Sequence, residues 1–143
     1  MQKETTNLEF HVARKVLALA NRIVITRNNH LKELELTAEQ ADTLLFFFQH
    51  ENATISDLKD YLRIRHQTAS GIVSRLAEKG LLSLTTSDAD ARAKIVRLTE
   101  QGMSIIHILQ ENGMHTGYNL LKDMDKNEQI QFVNLVEKAL KNV

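Results

Sequence analysis

The sequence predicts a mainly α-helical fold with one small β-hairpin, in the order ααααββαα. Composition is the first reason, because the 143 residues include no proline and only five glycines, and a chain with so few breakers tends to form long helices. Periodicity is the second, because apolar residues recur at steps of three and four in six segments. The third is a pair of strand-like runs, Leu81–Thr85 and Lys94–Leu98, which flank a polar loop and predict a projecting hairpin.

The two ends of the chain predict a dimer. The first helix is expected from about Thr6 to His30, or roughly 37 Å of helix, and its apolar stripe is longer than a core of this size can cover. The last helix keeps Phe132, Val133 and Val136 apolar although little chain remains to bury them. Apolar stripes that exceed the available core indicate a symmetric partner. A slightly larger monomer core is the alternative.

The helix starts carry recognisable signals. In a capping box, a polar side chain at the helix start accepts an amide hydrogen bond and a residue three positions later reciprocates. The segments Thr37–Gln40, Thr54–Asp57 and Asp125–Glu128 are of this kind and open the second, third and sixth helices. The fourth helix, about His66 to Lys79, is expected to end at Gly80, where glycine suits a left-handed conformation.

The fourth helix is predicted to have one buried face and one functional face. Four apolar residues repeat at steps of three and four and should face the protein: Ala69, Ile72, Val73 and Leu76. The opposite face is small, polar and basic, and glutamine, arginine and hydroxyl side chains are the groups that contact bases and phosphates in the major groove. The candidate DNA contacts are Arg65, Gln67, Thr68, Ser70, Ser74 and Arg75. A solvated polar helix face is the alternative.

The hairpin predicts a second DNA contact. Its tip carries Asp90, Arg92 and Lys94, and an arm of this length reaches the minor groove next to the major groove that holds the helix. Arginine is favoured in a narrow minor groove, where negative potential is concentrated, and Asp90 could hold its guanidinium in one pose. Helix and hairpin together predict a winged helix-turn-helix that binds double-stranded DNA. A charged surface hairpin without this role is the alternative.

Charge and cysteine content limit the remaining function classes. The net charge is zero, yet residues 59–97 hold eight basic and four acidic residues, a local basic face that suits specific DNA binding. The absence of cysteine excludes disulfides, thiolate metal sites and cysteine-based redox sensing. No apolar run approaches the ~18 residues of a membrane span. Because the N-terminus is also too polar for a signal peptide, we expect a cytoplasmic protein with no membrane partner.

Four motifs in this order resemble the MarR family of bacterial winged helix-turn-helix transcription regulators. They are LTAEQADTLLFF, ISDLKDYLRIRHQTASGIVSRLAEKGLL, the wing Asp90-x-Arg92, and LTEQG, and they cover roughly residues 36–103. The resemblance implies a homodimer on an inverted-repeat operator, with the helix from His66 in successive major grooves and the wing arginine in the minor groove. It implies dimerisation helices in residues 1–36 and 100–143 around a winged helix-turn-helix in residues 37–99. Repression is the implied outcome.

Three departures from the family pattern bear on DNA affinity more than on the mode of binding. Arg65 stands where the family usually has a capping serine, threonine or aspartate. The strand after Gly80 ends in Leu84-Thr85 rather than in arginine, which removes a phosphate contact. The wing has Arg92 and Lys94 in place of a denser basic cluster.

The resemblance also implies a small aromatic or lipophilic effector. The candidate lining residues are His11, Arg14, Phe47, Met103 and His107, and core packing or surface exposure is the alternative for each. His107, Glu111 and His115 fall on one helical face, but Gly113 is expected to interrupt that helix, and we expect no metal and no cofactor.

Catalysis is not expected, because the sequence has no nucleophile elbow, no phosphate-binding glycine loop and no cysteine nucleophile. The main rival to a DNA-binding regulator is a winged-helix module that binds proteins and has no specific DNA binding. The neutral total charge and the missing strand arginine favour that rival.

Overall fold

The computed structural model describes the backbone of residues 2–86 and 92–143, with side chains described from residue 7 onward. The predicted order of six helices and one hairpin is confirmed. The elements are α1 (Gln2–Glu33), α2 (Ala38–Gln49), α3 (Ile55–Leu62), α4 (His66–Glu78), β1 (Leu82–Thr86), β2 (Lys94–Leu98), α5 (Glu100–Leu121) and α6 (Lys126–Leu140). The first helix is longer at both ends than its apolar stripe predicts, because polar residues extend it where no breaker intervenes.

All three predicted capping boxes are confirmed. At the start of α2, Thr37 Oγ1 accepts a hydrogen bond from the Gln40 amide, and Gln40 Oε1 accepts one from the Thr37 amide, both at 3.1 Å. The same reciprocal pairs open α3 and α6. The N-cap residue of α4, Arg65, makes no side-chain capping bond, as the departure from the family pattern predicts.

Helices α2, α3 and α4 enclose the core of the first compact unit, residues 1–110. Leu44, Leu58 and Leu76 are fully buried at its centre. The strand β2 closes one side, with Val96 buried, and Ile106 of α5 is also fully buried. This core fixes the rotation of α4 about its own axis, because the helix must keep its apolar face inside.

The hairpin is antiparallel, with Leu82 opposite Leu98 and Thr86 opposite Lys94. It is also tied to the connection between α2 and α3. The Val96 amide donates to the Ala53 carbonyl at 3.0 Å, and Thr54 forms an isolated bridge with Ile95. The start of α3 and the base of the hairpin are therefore held against each other.

The hairpin leads into α5 through a tight junction. Gly80 has a φ of 78°, as predicted for a helix-terminating glycine. The Thr99 hydroxyl donates to the Gly80 carbonyl at 2.6 Å and accepts from the Gly102 amide at 3.0 Å. A Cβ at Gly102 would overlap the carbonyl oxygen of Leu81. The junction thus requires glycine at position 102.

The second compact unit, residues 111–143, contains the end of α5 and all of α6. The expectation that Gly113 interrupts the fifth helix is wrong, because α5 continues to Leu121. A glycine inside a helix costs only about 1 kcal/mol relative to alanine, which the remaining residues of a long helix offset. Among the described helices, none is long and apolar enough to cross a membrane.

Apolar side chains are exposed on both terminal helices. On α1 seven of them are exposed: Leu8, Phe10, Val12, Val16, Leu17, Val24 and Ile25. On α6 five are exposed: Ile130, Val133, Leu135, Val136 and Leu140. Single exposed apolar residues are common on monomers, whereas larger exposed apolar patches are typical of surfaces that bind a protein or a membrane.

Replacing Gly102 with alanine should lower the free energy of unfolding by about 2–3 kcal/mol, because the new methyl group meets the Leu81 backbone. Urea denaturation at one fixed protein concentration measures the effect. Gly71→Ala is the matched control, because a Cβ at Gly71 meets nothing within 4 Å and should raise the same free energy by about 0.5–1 kcal/mol. Equal effects of the two substitutions would contradict the tight junction.

Candidate nucleic-acid interface

A cleft of about 560 Å³ lies between the start of α3, the exposed side of α4 and the hairpin. Its polar lining consists of four hydroxyl residues and three basic ones. These are Thr54, Ser56, Ser70 and Ser74 together with His66, Arg92 and Lys94. No acidic residue lines the part of this cleft that the structure describes. A concave surface of this composition attracts anions.

The cleft exists because α4 is half buried. The predicted inner residues of α4 are confirmed, since Ala69, Ile72, Val73 and Leu76 are all buried. Ser70 is half-buried, and the remaining candidates of this segment are exposed: Arg65, Gln67, Thr68, Ser74 and Arg75. The structure therefore turns every predicted DNA contact of this segment away from the core.

The exposed side of α4 divides into two strips at four-residue steps. The hairpin-side strip consists of His66, Ser70 and Ser74, and all three line the cleft. The outer strip consists of Gln67, Gly71 and Arg75, none of which lines it. Residues four apart lie above one another on a helix, so each strip presents a continuous surface.

The hairpin contributes the far wall of the cleft. Arg92 and Lys94 are exposed and line it, and the side chain of Lys94 makes no hydrogen bond or ion pair within the described part of the chain. Asp90, the third candidate of the hairpin, lies outside the described residues. At the hairpin base, Arg97 donates to Asn52 Oδ1 at 2.9 Å, which ties β2 to the loop after α2.

Three residues of the cleft were missed by the sequence reasoning, namely Thr54, Ser56 and His66. The signal for His66 was present, because it precedes Ser70 and Ser74 at the same four-residue step. Thr54 and Ser56 could not be found from periodicity, because only the contact between the α2–α3 connection and β2 brings them to the hairpin.

Several basic residues of segment 59–97 are engaged elsewhere. The Lys79 ammonium donates to the Glu35 carbonyl at 2.5 Å, and Lys59 lies 3.5 Å from the Asp60 carboxylate. Arg97 is held at the hairpin base. Of the eight basic residues of this segment, two line the cleft, and Arg63, Arg65 and Arg75 are exposed outside it.

A second cavity, of about 510 Å³, lies between α2, β2 and α5. Two of the five effector candidates, Phe47 and Met103, line it. The others do not, and His11, Arg14 and His107 are exposed. Arg14 is placed with its guanidinium 5.5 Å from the centre of the Phe10 ring. The structure thus brings part of the predicted effector set together and leaves the rest apart.

The described residues contain no group of three histidine, aspartate or glutamate side chains arranged to hold a metal ion. Asp42 forms an ion pair with Arg27 at 2.5 Å, which joins α1 to α2. His115 Nε2 lies 3.3 Å from Asn119 Nδ2. Asp42 and His115 therefore each contact another side chain of the protein.

Comparison with known proteins identifies similar chains. A model described as the MarR family matches residues 34–93. YfiV of Bacillus subtilis (strain 168), an HTH-type transcriptional regulator, is 24% identical over 113 residues, which are 77% of this chain and 71% of YfiV. The YusO protein of the same species has a similar fold, with a TM-score of 0.83 and 17% identity over 96% of this chain and 97% of YusO.

A DNA complex is also among the similar structures. The S. aureus MepR–DNA complex matches with a TM-score of 0.73 and 20% identity, covering 87% of this chain and 94% of the MepR chain. At this level of identity the likeness concerns the fold.

Lys79→Met should lower the free energy of unfolding by about 0.5–1 kcal/mol, because it removes the hydrogen bond to the Glu35 carbonyl. Lys94→Met is the matched control and should leave stability within ~0.5 kcal/mol of the parent, since Lys94 is an exposed hairpin residue. Thermal unfolding followed by circular dichroism compares the two. A larger loss for Lys94→Met would show that the hairpin lysine supports the fold.

Proposed function

We propose that this chain is a member of the MarR family, whose model matches residues 34–93, and a transcription regulator that binds a pseudo-palindromic DNA site as a homodimer. The observation that carries this proposal is the cleft, in which basic and hydroxyl side chains of α4 and the hairpin face outward together. Relatives of the chain are transcriptional regulators, and the chain is not an enzyme.

The outer strip of α4 is proposed to read bases in the major groove. Gln67 and Arg75 carry the donor and acceptor groups that pair with adenine and guanine edges. Arg92 on the hairpin reaches the neighbouring minor groove, where a narrow groove attracts arginine. Two copies of α4 in a dimer would lie one turn of DNA apart, roughly 34 Å.

The dimer is proposed to form through residues 1–36 and 100–143, with residues 37–99 as the DNA-binding part. The exposed apolar side chains of α1 and α6 support this division. In water such surfaces gain about 25 cal/mol for each Å² of apolar area that they bury, and a second copy of the chain presents the same surfaces in return.

We further propose that DNA binding represses transcription by blocking polymerase and that a small aromatic or lipophilic effector releases the DNA. The cavity lined by Phe47 and Met103 is the candidate effector site. It lies against β2, so a ligand there contacts the strand that supports the hairpin. Such a ligand shifts the equilibrium only if it binds the DNA-free state more tightly than the DNA-bound state.

Leu17→Glu should convert the dimer to a monomer, because it places a charge in the middle of the exposed apolar surface of α1. Sedimentation equilibrium measures the molecular mass. Lys15→Glu is the matched control, since it changes charge on the same helix at an exposed polar position and should leave the mass unchanged. A parent protein that is already a monomer at micromolar concentration would contradict the proposed assembly.

Arg92→Ala and Gln67→Ala should weaken DNA binding in different ways. Arg92→Ala is expected to lower affinity for most sequences and to reduce the slope of log affinity against log salt by about one. Gln67→Ala should cost about 1–3 kcal/mol on the preferred operator and little on scrambled DNA. Fluorescence anisotropy across 50–200 mM salt, on an operator selected from random DNA, measures both.

The same titration separates DNA binding from the rival function. A surface that binds a protein of mixed polarity loses little affinity over this range of salt, whereas several phosphate contacts lose orders of magnitude. If no sequence is enriched in the selection at low salt, the chain is not a sequence-specific DNA-binding protein. The winged-helix protein-interaction module would then be the better interpretation.

A further inference from the structure

We infer that the cleft between α4 and the hairpin seats one sugar-phosphate strand of the DNA, with Ser56 and His66 among its phosphate contacts. This inference rests on the proposed DNA-binding function and assigns a separate task to each strip of α4. The hairpin-side strip positions the protein on the backbone, and the outer strip reads sequence. Ser56 and His66 belong to no predicted set of DNA contacts.

Groove geometry requires a backbone strand at this place. The major groove is about 12 Å wide and the minor groove about 6 Å wide, and a single sugar-phosphate strand separates one from the other. A protein that places a helix in the major groove and a hairpin in the adjacent minor groove therefore straddles that strand. The concave surface between its helix and its hairpin must receive it, and in this chain that surface is the cleft.

The lining chemistry fits a phosphodiester. Phosphate oxygens are contacted by arginine, lysine, serine and threonine side chains, and these types, with His66, make up the polar lining. The hydroxyl residues are short, so they leave the volume of about 560 Å³ open to a bulky group. A phosphodiester presents only acceptor oxygens, whereas base edges carry donors as well. Every polar side chain of this lining can donate a hydrogen bond, and no carboxylate lines the cleft among the described residues.

The contact atoms are available for a ligand. Within the described part of the chain, the side chains of Ser56, His66 and Ser74 make no hydrogen bond or ion pair. Thr54 differs, because its hydroxyl accepts from the Asp57 amide at 3.2 Å and caps α3. The Asp57 carboxylate in turn accepts from the Thr54 amide at 2.9 Å. Ser56 and His66 can therefore be replaced without removing a cap or a bond.

The outer strip has the opposite character. Gln67 and Arg75 are long and carry several donors, and Gly71 lies between them with open space around it. Glycine is not required there by packing, since a Cβ would meet nothing within 4 Å. Because Gly71 has no side chain, the middle of α4 can come closer to the floor of the major groove. This approach lets Gln67 and Arg75 reach the base edges.

The test uses the full-length protein with Ser56→Ala, His66→Ala and the matched control Ser83→Ala, an exposed serine of β1 outside the cleft. Affinity is measured on the selected operator and on scrambled DNA. Each cleft substitution should weaken both affinities by the same factor, about three- to tenfold for a lost hydrogen bond. The ratio of the two affinities should remain that of the parent, and Ser83→Ala should match the parent on both.

A second measurement identifies the phosphate. Single methylphosphonate linkages, which are neutral, are placed in turn at the backbone positions between the grooves. One of them should weaken the parent protein and have at least threefold less effect on Ser56→Ala or His66→Ala, because the contact is already lost. Circular dichroism melts establish that both variants are folded.

Two results of the affinity measurements overturn the inference while the proposed function stands. The cleft substitutions could leave both affinities equal to those of the parent, or they could change the ratio of operator to scrambled affinity, as base-reading residues do. If the parent protein itself prefers no DNA sequence, the proposed function fails and the cleft assignment fails with it. Loss of affinity without any methylphosphonate position that loses its effect in the variants also overturns the phosphate assignment.

Discussion

Burial of one face of α4 is the constraint on which the rest of the structure depends. Ala69, Val73 and Leu76 are completely inaccessible to solvent. Truncating the side chain of Val73 or Leu76 would lower the free energy of unfolding by several kcal/mol. Because a helix is rigid, a fixed inner face determines where every other side chain points. The two strips of the outer face therefore need no local interactions of their own, and polar residues can occupy them for binding alone.

The position of the hairpin is likewise fixed by its contacts with the rest of the fold. Its backbone is bonded to Ala53 and bridged at Thr54, so the hairpin base, the start of α3 and α4 form one wall. At the other side, the approach of Gly102 to Leu81 sets the start of α5. A change in the cavity beside β2 would reach the hairpin through these contacts, since closely packed parts shift together.

Most of the fold could be predicted from sequence because its signals are local. Capping boxes need residues three apart, and the inner face of α4 needs a repeat of three and four, so both were found. The sequence prediction ended α5 near Gly113, but the helix continues. The free-energy cost of glycine falls on one position only, and the helical residues on both sides of Gly113 offset it. The cleft was found only in part. Ser70 and Ser74 share the periodicity of α4, whereas Ser56 joins them through a contact distant in sequence.

The zero net charge of the chain is compatible with DNA binding because of where the charges lie. Lys79 and Lys59 have partners outside the cleft, whereas Arg65 and Arg75 are exposed beside it and Arg92 and Lys94 line it. A protein with a broad basic surface binds any DNA through counterion release. A chain whose basic face is limited to α4, its flanking turn and the hairpin gains less from non-specific DNA, so the contribution of Gln67 and Arg75 to choosing a site becomes a larger fraction of its total binding free energy.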